Sequence, residues 1–314
     1  MPDRQVGPPA EHALRTGVLL TIAAASMWGI SGVVMKQIMR DGIAPRALLV
    51  LRLGGSAIVT GLLILLWRPR AFNLPRRFWV TVLVLGGFLA SLQYLYFLTV
   101  RATNVGTAVF LEYLAPAFIV TWGWTQRRQS FDRWSASAVI TALAGSFLLV
   151  AGGGELSVPR AALITGLGAA FTLTVQALLI ERLLLDLPPL TVFFYAMVAG
   201  AAASLVLGTP VDAVRAVITP AGLKATMFVV LFSTIIPFLL QMNAVARIGA
   251  GKTAVINTLE PAVAGIVAWP VLGESLRPVQ WAGGVLIGLA VVLIGRSPGR
   301  VVASALPIPV REIP

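Results

Sequence analysis

From Gly17 to Gly295 the chain is a succession of apolar runs, each 18 to 23 residues long, parted by short segments that collect Arg, Lys, Pro and Asn. The runs cover about 17–35, 45–67, 79–100, 104–124, 134–152, 161–180, 189–208, 225–246, 251–272 and 278–295. None alternates with the period of a strand, and each is apolar nearly all round a helix. About 20 residues at about 1.5 Å each match a hydrocarbon layer about 30 Å thick. The pattern therefore predicts an all-α integral membrane protein with ten transmembrane helices. The first run carries Trp28 and lacks a clear small-residue cleavage site, so it reads as a span and not as a signal peptide. Residues 1–16 are expected to form a polar tail, and 296–314, with Pro298, Pro307, Pro309 and Pro314, a disordered one.

The fourth and ninth runs repeat one another. Arg101, Thr107-Ala108-Val109 and Leu114-Ala115-Pro116 correspond to Arg247, Thr253-Ala254-Val255 and Leu259-Glu260-Pro261, at an offset of 146 residues that becomes 145 at the prolines. The expected units are a first five-helix repeat over 17–152 and a second over 153–295. Five spans is an odd number, so the copies must be inverted relative to one another, a plan that builds transporters with a central site.

Composition sharpens this. At 58% hydrophobic and 11% charged, with a mean hydropathy of +0.89, the chain has too little polar surface for a water-soluble protein. The absence of Cys removes thiolate chemistry, and the single histidine, His12, lies in the N-terminal tail. The net charge of +12 reads as an orientation signal. Fifteen of the 24 Lys and Arg fall on the side of the N-terminus, eight on the other, and Arg52 inside a span. By the positive-inside rule both termini are expected in the cytoplasm.

Charges inside spans mark pathways or partners, because burying them in lipid is costly. Three stand out: Arg52, Glu112 and Glu260. Arg52 lies about 10 Å and Glu112 about 12 Å from the same membrane face, so the two are expected to pair or to share a polar cavity. Asn257 and Glu260 are three residues apart and would share a helix face, while Pro116 and Pro261 are candidate midplane kinks. Trp28, Gln93, Tyr94, Tyr113, Gln176 and Gln241 lie at similar depth and are further candidates for a substrate cavity. Trp79 and Trp134, at span ends, read as interfacial belt residues. Gly251-Lys252-Thr253 imitates a phosphate-binding loop, but Ala246 stands where its first glycine belongs and no strand precedes it.

A family resemblance rests on particular residues: Trp28-Gly29 and Lys36 in span one, Arg52 seven residues after Pro45, and Leu259-Glu260-Pro261, Leu272-Gly273-Glu274, Trp281 and Gly284 near the end. In order and spacing these resemble the EamA group of the drug/metabolite transporter superfamily, over about residues 17–295. The first copy carries Trp122-Gly123-Trp124 where the second has Leu272-Gly273-Glu274. The resemblance implies a secondary transporter of the bacterial cytoplasmic membrane, working by alternating access, with export of amino acids, aromatic ones included, as the first choice. Uptake or exchange of another metabolite or drug stays open, as does proton coupling; a channel and a membrane-embedded enzyme are rivals from other classes. No enzymatic activity, cofactor or metal is expected. The expected partners are a small-molecule substrate and the lipid bilayer, with no nucleic acid, and the chain is expected to act as a monomer.

Overall fold

A computed structural model describes residues 8–103, 105–126, 132–152, 158–273 and 276–297. Residues 1–7 and 298–314 of the expected tails lie outside these residues, as do Asn104 and Glu274, while 8–16, expected as part of a polar tail, are helical. The described chain is helical, with no strand among the described residues. The first half holds α1 (Pro8–Arg40), α2 (Pro45–Trp67), α3 (Trp79–Ala102), α4 (Val105–Glu112), α5 (Ala115–Thr125) and α6 (Arg133–Ala151). The second holds α7 (Arg160–Leu183), α8 (Pro189–Leu207), α9 (Pro210–Ile218), α10 (Pro220–Val230), α11 (Ile236–Asn257), α12 (Leu259–Leu272) and α13 (Pro278–Gly295). A π-helical turn, Leu231–Ile235, joins α10 to α11. Eight helical stretches are long and apolar enough to cross a membrane. α4, α5 and α12 are shorter apolar pieces.

Proline sets many of the starts. Pro45, Pro189, Pro210, Pro220 and Pro278 each occupy the first turn of a helix, where the missing N–H costs nothing and the fixed φ suits the helix. α1 begins nine residues before the expected first span, and at 33 residues it is about 50 Å long, longer than the hydrocarbon layer is thick.

The fourth and ninth spans are not continuous helices. α4 ends at Glu112, and α5 begins at Ala115. In α11 the helix is interrupted at Gly249, whose φ of 79° is a conformation that favours glycine; a piece from Ala250 to Asn257 follows, then α12 from Leu259. Pro116 and Pro261 therefore do not kink long helices. Each stands in the first turn of a new half-helix, where proline is tolerated.

Lipid supplies little drive to press apolar helices together, so close approach at small residues carries the packing. Gly145 of α6 faces Gly283 of α13 so tightly that a Cβ on either glycine would lie 2.6 Å from the other's carbonyl oxygen. Further along the pair, Gln280 donates to the Leu149 carbonyl at 2.9 Å, and Ser135 meets Ser297 at 2.9 Å. The start of α6 thus lies beside the end of α13, and the two run antiparallel. Trp134, at the start of α6, lies under the guanidinium groups of Arg133 and Arg296.

α9 was not foreseen, since 209–224 reads as a loop. Its nine residues are too few to cross a bilayer. Val211, Val214 and Ile218 form an exposed apolar row, while Asp212 and Arg215 pair at 3.9 Å. Such a helix suits the membrane interface.

At the start of α6, Asp132 accepts hydrogen bonds from the backbone N–H groups of Trp134 and Ser135. Burial alone raises its carboxyl, but hydrogen bonds from Ser297 and from Ser135 and Trp134 outweigh this and hold it below the usual carboxylate range. A depressed value stabilises the folded state above the ordinary carboxylate pKa and ceases to do so as pH falls through the folded value. Asp132→Ala is expected to cost about 1 kcal/mol at neutral pH, the usual worth of an N-cap. Thermal melts of the detergent-solubilised protein check this, and the gap between variant and parent should close below the ordinary carboxylate range.

Candidate functional site

The polar interior is organised by a backbone oxygen. In a regular helix the Ser233 carbonyl accepts from the N–H four residues on, but residue 237 is proline and has none. Ser233 is fully buried, and side-chain donors reach its carbonyl from outside the helix. Two arrive from other helices. The Trp28 indole donates to it from α1 at 3.2 Å, and the Arg52 guanidinium from α2 through Nη2 at 3.3 Å. The π-helical turn carries Thr234 beside it, whose hydroxyl accepts from Arg52 Nε at 3.1 Å and donates to the Val229 carbonyl at 2.8 Å. Phe238, one turn on, completes the surround. Its ring meets Trp28 edge-on at 5.2 Å and lies 5.8 Å beneath the Arg52 guanidinium.

A second polar group lies where the half-helices meet. Tyr113, in the break between α4 and α5, donates to Glu260 Oε2 at 2.7 Å. Glu260 is in the first turn of α12, where a helix N-terminus favours an anion. Glu112 closes α4 at the opposite, unfavourable pole. α1 crosses α12 beside Glu260 at Gly29, where a Cβ would lie 2.7 Å from the Glu260 carbonyl oxygen and 2.9 Å from Val263 Cβ. The glycine of the Trp28-Gly29 pair thus lets α1 rest on the α12 backbone while its tryptophan reaches Ser233.

The two groups are electrostatically one. Arg52 feels both Glu260 and Glu112, and Tyr96 of α3 feels both carboxylates. The pairing of Arg52 with Glu112 is not direct: among the described residues no hydrogen bond or ion pair joins them, and the ion pairs present are peripheral. They share an environment instead of a bond.

The remaining candidates separate. Gln176 is buried, and its amide donates to the Phe88 carbonyl at 3.0 Å, a tie between α7 and α3. Gln93 and Tyr94 are half-buried on α3, and neither hydrogen-bonds to a described residue; Tyr96 is the α3 tyrosine that couples to the carboxylates. Gln241 lies seven residues beyond Thr234 and three beyond Phe238, on the same helical face, and its buried Oε1 has no donor. The Asn257 Oδ1 is likewise buried without one. The face expected to join Asn257 to Glu260 is interrupted, because Asn257 ends one helical piece and Glu260 opens the next. Lys252 of the false phosphate loop donates to the Ser297 carbonyl at 2.7 Å. Ser233, Thr234, Pro237, Phe238 and Tyr96 were missed. A Ser-Thr pair shortly before an in-span proline was the available signal.

The crossing at Gly29 has a built-in control. At Gly32, one turn along α1, a Cβ would meet nothing within 4 Å. Gly29→Ala is expected to lose about 1–3 kcal/mol through overpacking. Gly32→Ala should be neutral or gain about 0.5–1 kcal/mol from helix propensity. Melting temperatures in one detergent check both.

Comparison with known proteins places the chain in a family. The model of the EamA-like transporter family matches residues 15–151 and again residues 160–296. The uncharacterized inner membrane transporter YicL of Salmonella typhimurium is 27% identical over 288 residues, covering 89% of this chain and 95% of YicL. The threonine/homoserine exporter RhtA of Escherichia coli K12 is 26% identical over 271 residues, covering 84% of this chain and 85% of RhtA. A solved crystal structure shares the fold with a TM-score of 0.70 at 14% identity, over 89% of this chain and 97% of its own. Both halves carry the same family pattern, and the helices they form are those of a multi-pass membrane protein. The chain belongs to the EamA-like transporter family and is a membrane transporter.

Proposed function

We propose that the protein exports amino acids, aromatic ones included, across the bacterial cytoplasmic membrane by alternating access around a central cavity. The observation that carries the reading is the intramembrane cluster: one guanidinium and two carboxylates, half-buried, at the level where two spans break into half-helices. Irregular backbone and charge at membrane depth are tolerated where they line a pathway. The exporter RhtA supports the amino-acid class.

In this reading ten segments cross the membrane: seven unbroken ones, α10 joined to the first part of α11 through the π turn, and two broken ones, α4 with α5 and residues 250–272. Residues 17–152 and 153–295 form the inverted repeats, and the antiparallel packing of α6 and α13 supports that relation. Tyr113 from the first half and Glu260 from the second make their hydrogen bond across the repeat interface, so rocking of the halves moves the site's own groups. One chain supplies every group of the cluster, and a monomer suffices.

Two measurements test this. Purified protein in liposomes should show saturable counterflow of labelled amino acids, competed by unlabelled ones and followed with and without a pH gradient. If no amino acid competes, the substrate class falls; if flux never saturates, a channel replaces the carrier. Topology is tested by single cysteines, because the native chain has none. Asp41→Cys should react with an impermeant maleimide on intact cells, and Asn73→Cys only after permeabilisation; both sites are exposed. The opposite pattern overturns the orientation.

A further inference from the structure

We propose that Arg52 and Glu112 are the two poles of a zwitterion site: the guanidinium receives the α-carboxylate of the amino acid, and the Glu112 carboxylate receives its α-ammonium. The inference rests on the export reading and names what the same site recognises.

The first pole is already aimed. Arg52 is fixed through Nε on Thr234 and Nη2 on the Ser233 carbonyl, with Phe238 beneath it. Nη1 meets no acceptor among the described residues. A guanidinium held by one edge keeps a planar donor edge for a carboxylate, the partner its geometry suits best. Among the described residues no carboxylate takes that place.

The second pole lacks donors. Glu112 is half-buried and receives no hydrogen bond from any described residue. It sits at the C-terminal end of α4, where the helix dipole disfavours an anion and favours a cation. Its backbone carbonyl is denied the usual donor as well, since the residue four positions on is Pro116. Glu260 differs: it has the Tyr113 hydroxyl and the favourable end of α12. Gln241 Oε1 and Asn257 Oδ1 add two buried acceptors without donors. Among the described residues the interior thus holds buried acceptors that no donor meets. An ammonium brings three donors and no acceptor.

The separation of the poles is the remaining argument. Arg52 and Glu112 interact through space but do not touch. Opposite charges inside a membrane protein gain much by closing on one another, and leaving them apart is costly. A ligand carrying both charges on adjacent atoms of its backbone satisfies both poles at once. A carboxylic acid or an amine alone satisfies one.

The test uses reconstituted full-length protein and counterflow of labelled L-threonine and L-phenylalanine. Each is competed by itself, by its amide, which lacks the carboxylate, and by its deamino analogue, which lacks the ammonium. The parent protein should prefer the amino acid over either analogue by about tenfold or more, the worth of one hydrogen-bonded charge. Arg52→Gln should lose the preference over the amide and keep that over the deamino acid. Glu112→Gln should do the reverse. Should Arg52→Gln fail to fold, Arg52→Lys retains charge without the fork and should reduce the preference over the amide alone. Variants that weaken all three competitors alike overturn the assignment, while leaving export standing. If neither amino acid flows in the parent, the export reading itself has failed and this assignment with it.

Discussion

A carbonyl oxygen whose usual helical donor is replaced by a proline ties the polar interior together. Pro237 removes the N–H that Ser233 would use, and lipid offers no water in its place. The indole of Trp28 and the guanidinium of Arg52 fill the deficit, so three helices converge on one atom. This holds Arg52 within the membrane with no carboxylate bonded to it among the described residues. Two neutral acceptors, Ser233 O and Thr234 Oγ1, solvate it, and its charge remains available. A closed ion pair at the same depth would be more comfortable and less useful.

The half-helix breaks do similar work on the opposite charge. A continuous helix would bury Glu112 and Glu260 in mid-segment. Breaking the spans at 113–114 and at Thr258 turns them into helix ends. One carboxylate then sits at a favourable pole with a tyrosine donor, the other at an unfavourable pole without one. The two halves match the same family model but differ in charge, since the proline mate of Glu112 is Asn257.

Much of this was legible in the residues. Scarcity of charge made Arg52, Glu112 and Glu260 conspicuous, and all three belong to one electrostatic cluster. The repeated prolines pointed to the two breaks, though as kinks and not as new helix starts. Other parts were not legible. Gln176 has the same chemistry as Gln241, yet one is satisfied by Phe88 and the other is not; a glutamine in an apolar run does not reveal which. α9 escaped because nine half-polar residues between two apolar runs have the composition of a loop, and their amphipathic row has meaning only at an interface.

Membrane solvent and the doubled family pattern are legible in the residues alone, because apolar length, loop charge and internal similarity are one-dimensional properties that a bilayer reads directly. Short motifs in order named the family as well. Tertiary structure decided what each polar group faces. Whether Arg52 meets Glu112 or Ser233, and whether Glu260 is solvated by Tyr113, depends on how helices far apart in sequence cross, on a glycine that lets α1 touch α12 and on a proline that leaves one carbonyl unpaired. Those contacts join residues about 150 to 200 positions apart, and only their packing in three dimensions brings them into reach.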